Sequence, residues 1–204
     1  MFREFVSSYY YGLETCRQEV PFDDLERVLQ AILTAYEADR TVFVFGNGGS
    51  ASTASHLACD LGKGTAIPGR RRLRVVSLAD NLALLTAWAN DTSYEMVFKE
   101  QLENLLQAGD VVIAISASGN SPNVIRAVEY AKERGAVTIG FIGFGGGKLK
   151  ELVDLDITVS SCNYGHVEDY HLALDHIFSQ YLRQLFRTAS DQEATANDAV
   201  ESRT

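Results

Sequence analysis

Hydrophobic residues along the chain follow two different spacings. From Glu4 to Arg40, apolar side chains recur every three or four residues, which predicts two consecutive helices. From Thr41 onward, short β-branched apolar runs alternate with stretches of helical spacing. The runs predict five strands, at 41–45, 73–78, 111–116, 137–143 and 155–160, and the other stretches predict helices at 50–62, 80–88, 94–107, 122–134 and 166–188.

This alternation predicts an α/β fold. Nearly continuous apolar strands are typical of parallel sheets that carry helices on both faces. We therefore predict a doubly wound, five-stranded parallel sheet of the flavodoxin type, with two N-terminal helices and a long C-terminal helix. The chain then divides into a helical segment at 1–40, a sheet domain at 41–188 and a polar tail at 189–204, which we expect to be disordered.

Composition narrows the classes of partner. The chain has 204 residues, and its net charge of −9 disfavours direct binding to nucleic acid or to an anionic membrane. Its three cysteines are odd in number and far apart, which favours free thiols in the cytoplasm. The N-terminus lacks the pattern of a signal peptide, and no apolar run approaches the roughly 18 residues of a spanning helix. We expect a cytoplasmic protein without a membrane partner.

A glycine-rich loop follows the first predicted strand and runs directly into a helix. It contains Asn47, Gly48, Gly49 and Ser50. Glycines let a ligand approach the backbone closely, and the first N–H groups of a helix attract anions. The alternative is a plain turn in which Ser50 caps the helix. The loop has neither P-loop spacing nor the spacing of a dinucleotide site.

A second loop, after the third predicted strand, is rich in hydroxyl groups. Ser116, Ser118 and Ser121 stand close together, and Ser121 followed by Pro122 predicts the start of a helix. Hydroxyl donors around the positive end of a helix suit an anion such as phosphate. Capping with ordinary surface serines is the alternative, but it explains only Ser121.

Histidine and acidic residues recur on two predicted helices. His56 and Asp60 are four residues apart and share a helix face, and Glu168 and His176 lie about 80° apart around the last helix. Such groups can bind a divalent metal such as zinc, or act as general acid and base. Alternatively Asp60 pairs near its helix end and His176 simply packs. We interpret His166 and His171 as structural or surface residues, and Asn90 with Asp91 as ligand contacts or a turn.

Five motifs, taken in order, resemble the sugar isomerase (SIS) domain family. They are GNGGSASTASHLACD (46–60), AND (89–91), SASGNSPNV (116–124), IGFGGGKL (142–149) and EDYHLALDH (168–176). Within that family the resemblance is strongest to the phosphoheptose isomerases. It implies a homotetramer with sites between subunits, assembled partly through residues 1–40, and a small-molecule sugar phosphate as substrate.

The resemblance also implies roles for individual residues. Asp60 and His176 take the positions of the catalytic base and acid, and a zinc site falls on His56, Asp60, Glu168 and His176. Substrate contacts fall on Asn47, Gly48, Gly49, Ser50, Asn90, Asp91, Ser116, Ala117, Ser118, Ser121 and Glu168.

Two of these positions depart from the family pattern. Asp60 stands where the family has Glu, and Glu168 stands where it has Gln. A negative Glu168 beside Asp60 would favour a divalent metal or raise the pKa of one of the two carboxyl groups.

The implied activity is an aldose–ketose isomerisation through a cis-enediol, from sedoheptulose 7-phosphate to a product of the D-glycero-D-manno-heptose 7-phosphate type. Two other functions remain open at this point. One is isomerisation of another sugar phosphate. The other is a non-catalytic tetrameric binding module, of the kind that associates with the bacterial replication initiator.

Overall fold

The N-terminal part of the chain folds as two helices that precede the first strand. The computed structural model describes residues 1–201, with side chains described up to residue 192. Helix α1 covers Phe2–Glu19 and helix α2 covers Phe22–Glu37. Val28, Ile32 and Ala35 form the buried stripe of α2, at the spacing expected for an amphipathic helix. The prediction of two N-terminal helices is confirmed.

Five parallel strands form one sheet. They are β1 (Thr41–Gly46), β2 (Arg74–Ser77), β3 (Val111–Ser116), β4 (Val137–Ile142) and β5 (Leu155–Thr158). Their order across the sheet is β2-β1-β3-β4-β5, and each neighbouring pair is parallel. This order is that of a flavodoxin-type sheet. The predicted fold class is confirmed.

Helices cover both faces of the sheet. Besides α2, the described helices that follow β1 are α3 (Gly49–Cys59), α4 (Leu82–Asp91), α5 (Lys99–Leu105), α6 (Pro122–Glu133), α7 (Gly147–Leu152) and α8 (Tyr164–Glu201). A π-helical turn, Asp60–Gly64, continues α3, and a short 3-10 turn, Tyr94–Met96, precedes α5. None of the described helices has the length and apolar character needed to cross a membrane.

Strand β1 shows how one sheet supports two cores. Val42 and Val44 pack in the core that also holds residues of α2, α3 and α8. Phe43 and Phe45 point to the opposite face and pack with residues of α5, α6 and α7. All four side chains are buried. A strand that is covered on both faces therefore reads as a continuous apolar run.

Two elements differ from the sequence-based expectation. Helix α7 begins at Gly147, inside the IGFGGGKL motif, where no helix was predicted. Helix α8 ends at Glu201 rather than at the predicted residue 188, because no Gly or Pro interrupts the stretch beyond that point. The last part of the predicted disordered tail, 202–204, lies outside the described residues.

Candidate active site

A small polar cavity opens where β1 and β3 end. These strands are neighbours in the sheet, so the loops that follow them meet at its carboxyl edge. The cavity measures about 170 Å³ and is lined by Asn47, Ser50, Ile115, Ser116, Ala117, Ser118, Ser121, Tyr164 and Glu168. The structure thus brings the two predicted ligand loops to one place, together with Glu168 from α8.

The serine loop places its hydroxyl groups at the start of α6. Ser116 Oγ accepts a hydrogen bond from the backbone N–H of Gly119 at 3.1 Å, so its own proton remains available to a ligand. Ser121 occupies the N-cap position of α6, as predicted, but within the described chain its side chain makes no capping bond. The cavity therefore combines hydroxyl donors with the positive end of a twelve-residue helix.

Asn47 is fixed by a small network of side chains. Its Oδ1 accepts hydrogen bonds from Tyr94 Oη at 2.8 Å and from Asn123 Nδ2 at 2.8 Å. Its Nδ2 donates to Asn123 Oδ1 at 2.9 Å. Asn123 is itself buried. Neither Tyr94 nor Asn123 was predicted to take part in the site, because the network depends on contacts between elements that lie far apart in sequence.

The glycine loop brings α3 close to α8. Gly48 is the N-cap of α3 and has a φ of 54°, in the left-handed region that favours glycine. A Cβ on Gly49 would lie 2.6 Å from Glu168 Oε1, so only glycine leaves room for that carboxylate. Ser50 is buried and lies inside α3, which excludes the alternative in which Ser50 is the N-cap.

A second group of polar side chains lies further along the same two helices. His56, Asp60, Asp175 and His176 offer ligand atoms that all fall within 4.8 Å of one another. His56 Nε2 is 3.7 Å from Asp60 Oδ2 and 3.9 Å from Asp175 Oδ2. The rings of His56 and His176 meet edge to face at 5.2 Å between centroids. We refer to these four residues as the His/Asp cluster.

Asp175 is the unexpected member of the His/Asp cluster. Its side chain is fully buried, and neither carboxylate oxygen has a hydrogen-bond partner among the described residues. Burial and the nearby charge of Asp60 raise the pKa of Asp175 to about 6, although His56 and His176 oppose this rise. One sequence signal could have identified it: Asp175 stands on the buried stripe of α8 that includes His171, Phe178 and Leu182.

Glu168 does not lie in the His/Asp cluster, where the resemblance placed it. Positions 168 and 176 are eight residues apart, and at about 1.5 Å per residue this separates them by roughly 12 Å along α8. Their modest angular separation said nothing about this axial distance. Helices α3 and α8 both start at the cavity, where Glu168 meets Gly49, and run side by side to the cluster, where His56 meets His176.

Other predicted residues lie outside both groups in the single chain. Asn90 and Asp91 are exposed at the end of α4, with Asn90 Nδ2 donating to Asp91 Oδ1 at 2.8 Å. His171 is buried, its Nε2 donates to the carbonyl oxygen of Ile142 at 3.3 Å, and burial lowers its pKa to about 4. His166 packs against Tyr9. The interpretation of both histidines as structural agrees with these positions.

Fold and motif order together define the class of protein. The sequence pattern of the SIS domain family matches residues 9–143, more than half of the chain. The chain belongs to this family, and its parallel sheet with a serine loop after β3 is the structure in which the matched motifs meet.

Individual relatives sharpen this assignment. The chain is 40% identical over 154 residues to a phosphoheptose isomerase from Nitratiruptor sp., covering 76% of this chain and 82% of the relative. It is 43% identical over 138 residues to a phosphoheptose isomerase from Geobacter sulfurreducens, covering 68% and 72%. A solved phosphoheptose isomerase from Neisseria gonorrhoeae superposes with a TM-score of 0.83 at 29% identity, covering 90% of this chain and 100% of the other.

Proposed function

We propose that this protein is an aldose–ketose isomerase that converts sedoheptulose 7-phosphate to a product of the D-glycero-D-manno-heptose 7-phosphate type. The similarity to phosphoheptose isomerases supports the reaction class and the substrate. The observation that carries the proposal is the arrangement along α3 and α8, which have an anion cavity at one end and the titratable groups Asp60 and His176 at the other.

The cavity is the proposed phosphate site. Ser116, Ser118 and Ser121 supply hydroxyl donors, and the backbone at Ala117 and the start of α6 supply N–H groups. Among the residues that the structure describes, no Lys or Arg side chain lines the cavity. Uncharged donors and a helix end therefore carry the binding of the phosphate, in a protein whose net charge is −9. The amide of Asn47 and the carboxylate of Glu168, which also line the cavity, would contact sugar hydroxyl groups.

The His/Asp cluster is the proposed site of proton transfer. In an extended seven-carbon sugar phosphate, the phosphate and the carbonyl group lie at opposite ends, as the cavity and the cluster do. Asp60 removes a proton from C1 of the ketose and returns a proton to C2, through a cis-enediol. His176 moves a proton from O1 to O2. General acid–base catalysis of this kind contributes about 10²- to 10⁴-fold to rate.

The cluster also fits a divalent cation. Two imidazoles and two carboxylates are ligand types that zinc accepts, and a buried carboxylate without a hydrogen-bond partner suits a positive ion. His56, Asp60 and His176 would hold the ion together with a fourth ligand. When bound, the cation supplies Lewis-acid polarisation of the substrate oxygens.

We further propose a homotetramer with sites completed between subunits. On α1, Phe2, Phe5 and Tyr11 are exposed, and on α4 no residue is buried within the described chain despite its apolar sequence. Exposed groups of apolar side chains on helices are typical of protein–protein interfaces. Asn90 and Asp91, which end α4, would then reach the cavity of a neighbouring subunit.

The cytoplasm is the compartment we propose. Cys16, Cys59 and Cys162 are all free thiols, which suits a reducing environment. The net charge of −9 gives no support for direct binding to nucleic acid.

Proton NMR in D₂O with sedoheptulose 7-phosphate tests the proposed reaction. We expect an aldose anomeric signal to appear, with deuterium incorporated at C1 or C2, because the enediol exchanges its proton with solvent. Fructose 6-phosphate and ribulose 5-phosphate serve as shorter substrates. Turnover of a shorter ketose phosphate alone would replace the proposed substrate. Binding of all three without proton exchange would indicate a non-catalytic module.

A further inference from the structure

Burial of the Asp175 carboxylate is energetically unfavourable unless a group beyond the described side chains interacts with it. Its side chain is fully buried, and both carboxylate oxygens lack hydrogen-bond partners among the described residues. Buried carboxylates in proteins are nearly always hydrogen-bonded, paired with a cation or bound to a metal. The nearest nitrogen that can carry a charge, His56 Nε2, lies 3.9 Å from Asp175 Oδ2, which is too far for a hydrogen bond.

The surroundings of Asp175 contain the other ligands that a cation needs. Asp60 lies on the same side of His56, with 3.7 Å between His56 Nε2 and Asp60 Oδ2. His176 follows Asp175 directly in α8, and its ring meets that of His56. In a tetrahedral zinc site, metal–ligand distances of about 2.0–2.2 Å place the ligand atoms roughly 3.3–3.6 Å apart. The two measured distances from His56 are close to this range.

Charge balance points the same way. The cluster contains two carboxyl groups, those of Asp60 and Asp175, and no Lys or Arg forms an ion pair with either of them in the described structure. A divalent cation would pair with both carboxylates. Neutral imidazole and ionised carboxylate are also the forms of these side chains that bind a metal.

We infer that Asp175 is a direct ligand of a divalent cation of the zinc type, held together with His56, Asp60 and His176. Glu168 then has no part in the metal site. Its carboxylate stays in the cavity beside Gly49, roughly 12 Å along α8 from His176. The family resemblance implies Glu168 as the fourth ligand. The inferred site has Asp175, a buried side chain of this chain, in its place.

Calorimetric titration of the metal-free protein with Zn²⁺ tests the inference. The variants are Asp175→Asn, Asp175→Leu and, as a matched charge change on the same helix, Glu168→Gln. We expect both Asp175 variants to bind Zn²⁺ at least about 10-fold more weakly than the parent, since even loss of a residue that only supports a ligand costs that much. Glu168→Gln should keep the parent's affinity.

Thermal unfolding gives a second readout that a structural role would not produce. Removing a buried, unpaired carboxylate should leave the metal-free Asp175→Leu protein with the Tm of the parent or a higher one. Added Zn²⁺ should raise the Tm of the parent and of Glu168→Gln, because a ligand that binds only the folded state stabilises it. It should raise the Tm of Asp175→Leu by less than that of the parent at the same Zn²⁺ concentration, because weaker binding stabilises the folded state less.

Several outcomes would overturn the inference. These are a parent that binds no Zn²⁺, Asp175 variants with unchanged affinity, loss of affinity in Glu168→Gln instead, or Asp175 variants that unfold without metal. The inference concerns the cluster to which the proposed isomerase assigns proton transfer, but its readouts are metal affinity and Tm. It can therefore fail while isomerisation is observed, and it can hold while no isomerisation is found.

Discussion

The serine cavity and the His/Asp cluster are built from the same two helices but in different ways. The cavity depends on backbone: a positive φ at Gly48, the start of α6, and hydroxyl groups on short side chains. The cluster depends on side chains from α3, the π-helical turn and α8 that converge from separate parts of the sequence. The first arrangement would bind an anion through uncharged donors, because no Lys or Arg lines the cavity among the described residues, whereas the second brings acidic and basic side chains together.

Substitution of the proposed catalytic base and acid, Asp60 and His176, should have the largest effect, which is a loss of kcat. Asp60→Asn and His176→Gln keep side-chain size but remove the titratable group, so we expect kcat to fall by about 10²- to 10⁴-fold with sedoheptulose 7-phosphate. Steady-state kinetics measure this. Glu133→Gln, a change of the same kind on the exposed end of α6, serves as the control. An Asp60→Asn protein with the parent's kcat would remove Asp60 from the role of base.

A smaller effect, on the pH dependence of stability, should come from His171, which lies on α8 between the two regions. The pKa of His171 is lowered from 6.5 to about 4, so the unfolded chain binds a proton more readily than the folded one. The stability due to neutral His171 is therefore lost as pH falls from about 6.5 toward about 4. Between about pH 7 and about pH 5 the parent should lose about 2 kcal/mol more than His171→Gln.

Urea unfolding of both proteins at the two pH values measures that difference. Asp175 contributes with the opposite sign, because its pKa is raised, but this contribution is common to both proteins and cancels in the comparison. An identical pH dependence for the parent and the variant would show that His171 is not the group that titrates.

The smallest effect should come from a substitution in the cavity, and it should be a rise in KM. Ser121→Ala removes one of several donors, so KM should rise about 10-fold while kcat stays near that of the parent. Because Ser121 makes no capping bond within the described chain, the free energy of unfolding should not fall. Ser52→Ala, an exposed position on α3, is the matched control. A loss of stability without a change in KM would mean that Ser121 acts as a cap.

The contrast between the two regions also explains which features could be predicted from the sequence and which could not. Strand periodicity and the turn signals at Gly48 and Ser121 are local, and they sufficed to predict the sheet, most of its helices and the loops around the cavity. The cluster needs the axial position of residues along α8. The angle between Glu168 and His176 suggested one site, whereas the rise of the helix separates them. Asp175 was not among the candidates, because its place on the buried stripe of α8 was not considered.

Because α3 and α8 run side by side from the cavity to the His/Asp cluster, the distance between these two places would select the substrate by its length. In the proposed binding mode, with the phosphate among the serines, the length of the carbon chain would decide which atoms reach Asp60 and His176. A pentose or hexose phosphate held by the same anchor would stop short of these residues by one or two carbon–carbon bonds. Substrate selection would then depend on the distance between the cavity and the His/Asp cluster along α3 and α8. A shift of one helical turn, about 5.4 Å, would change the length of sugar phosphate that fits.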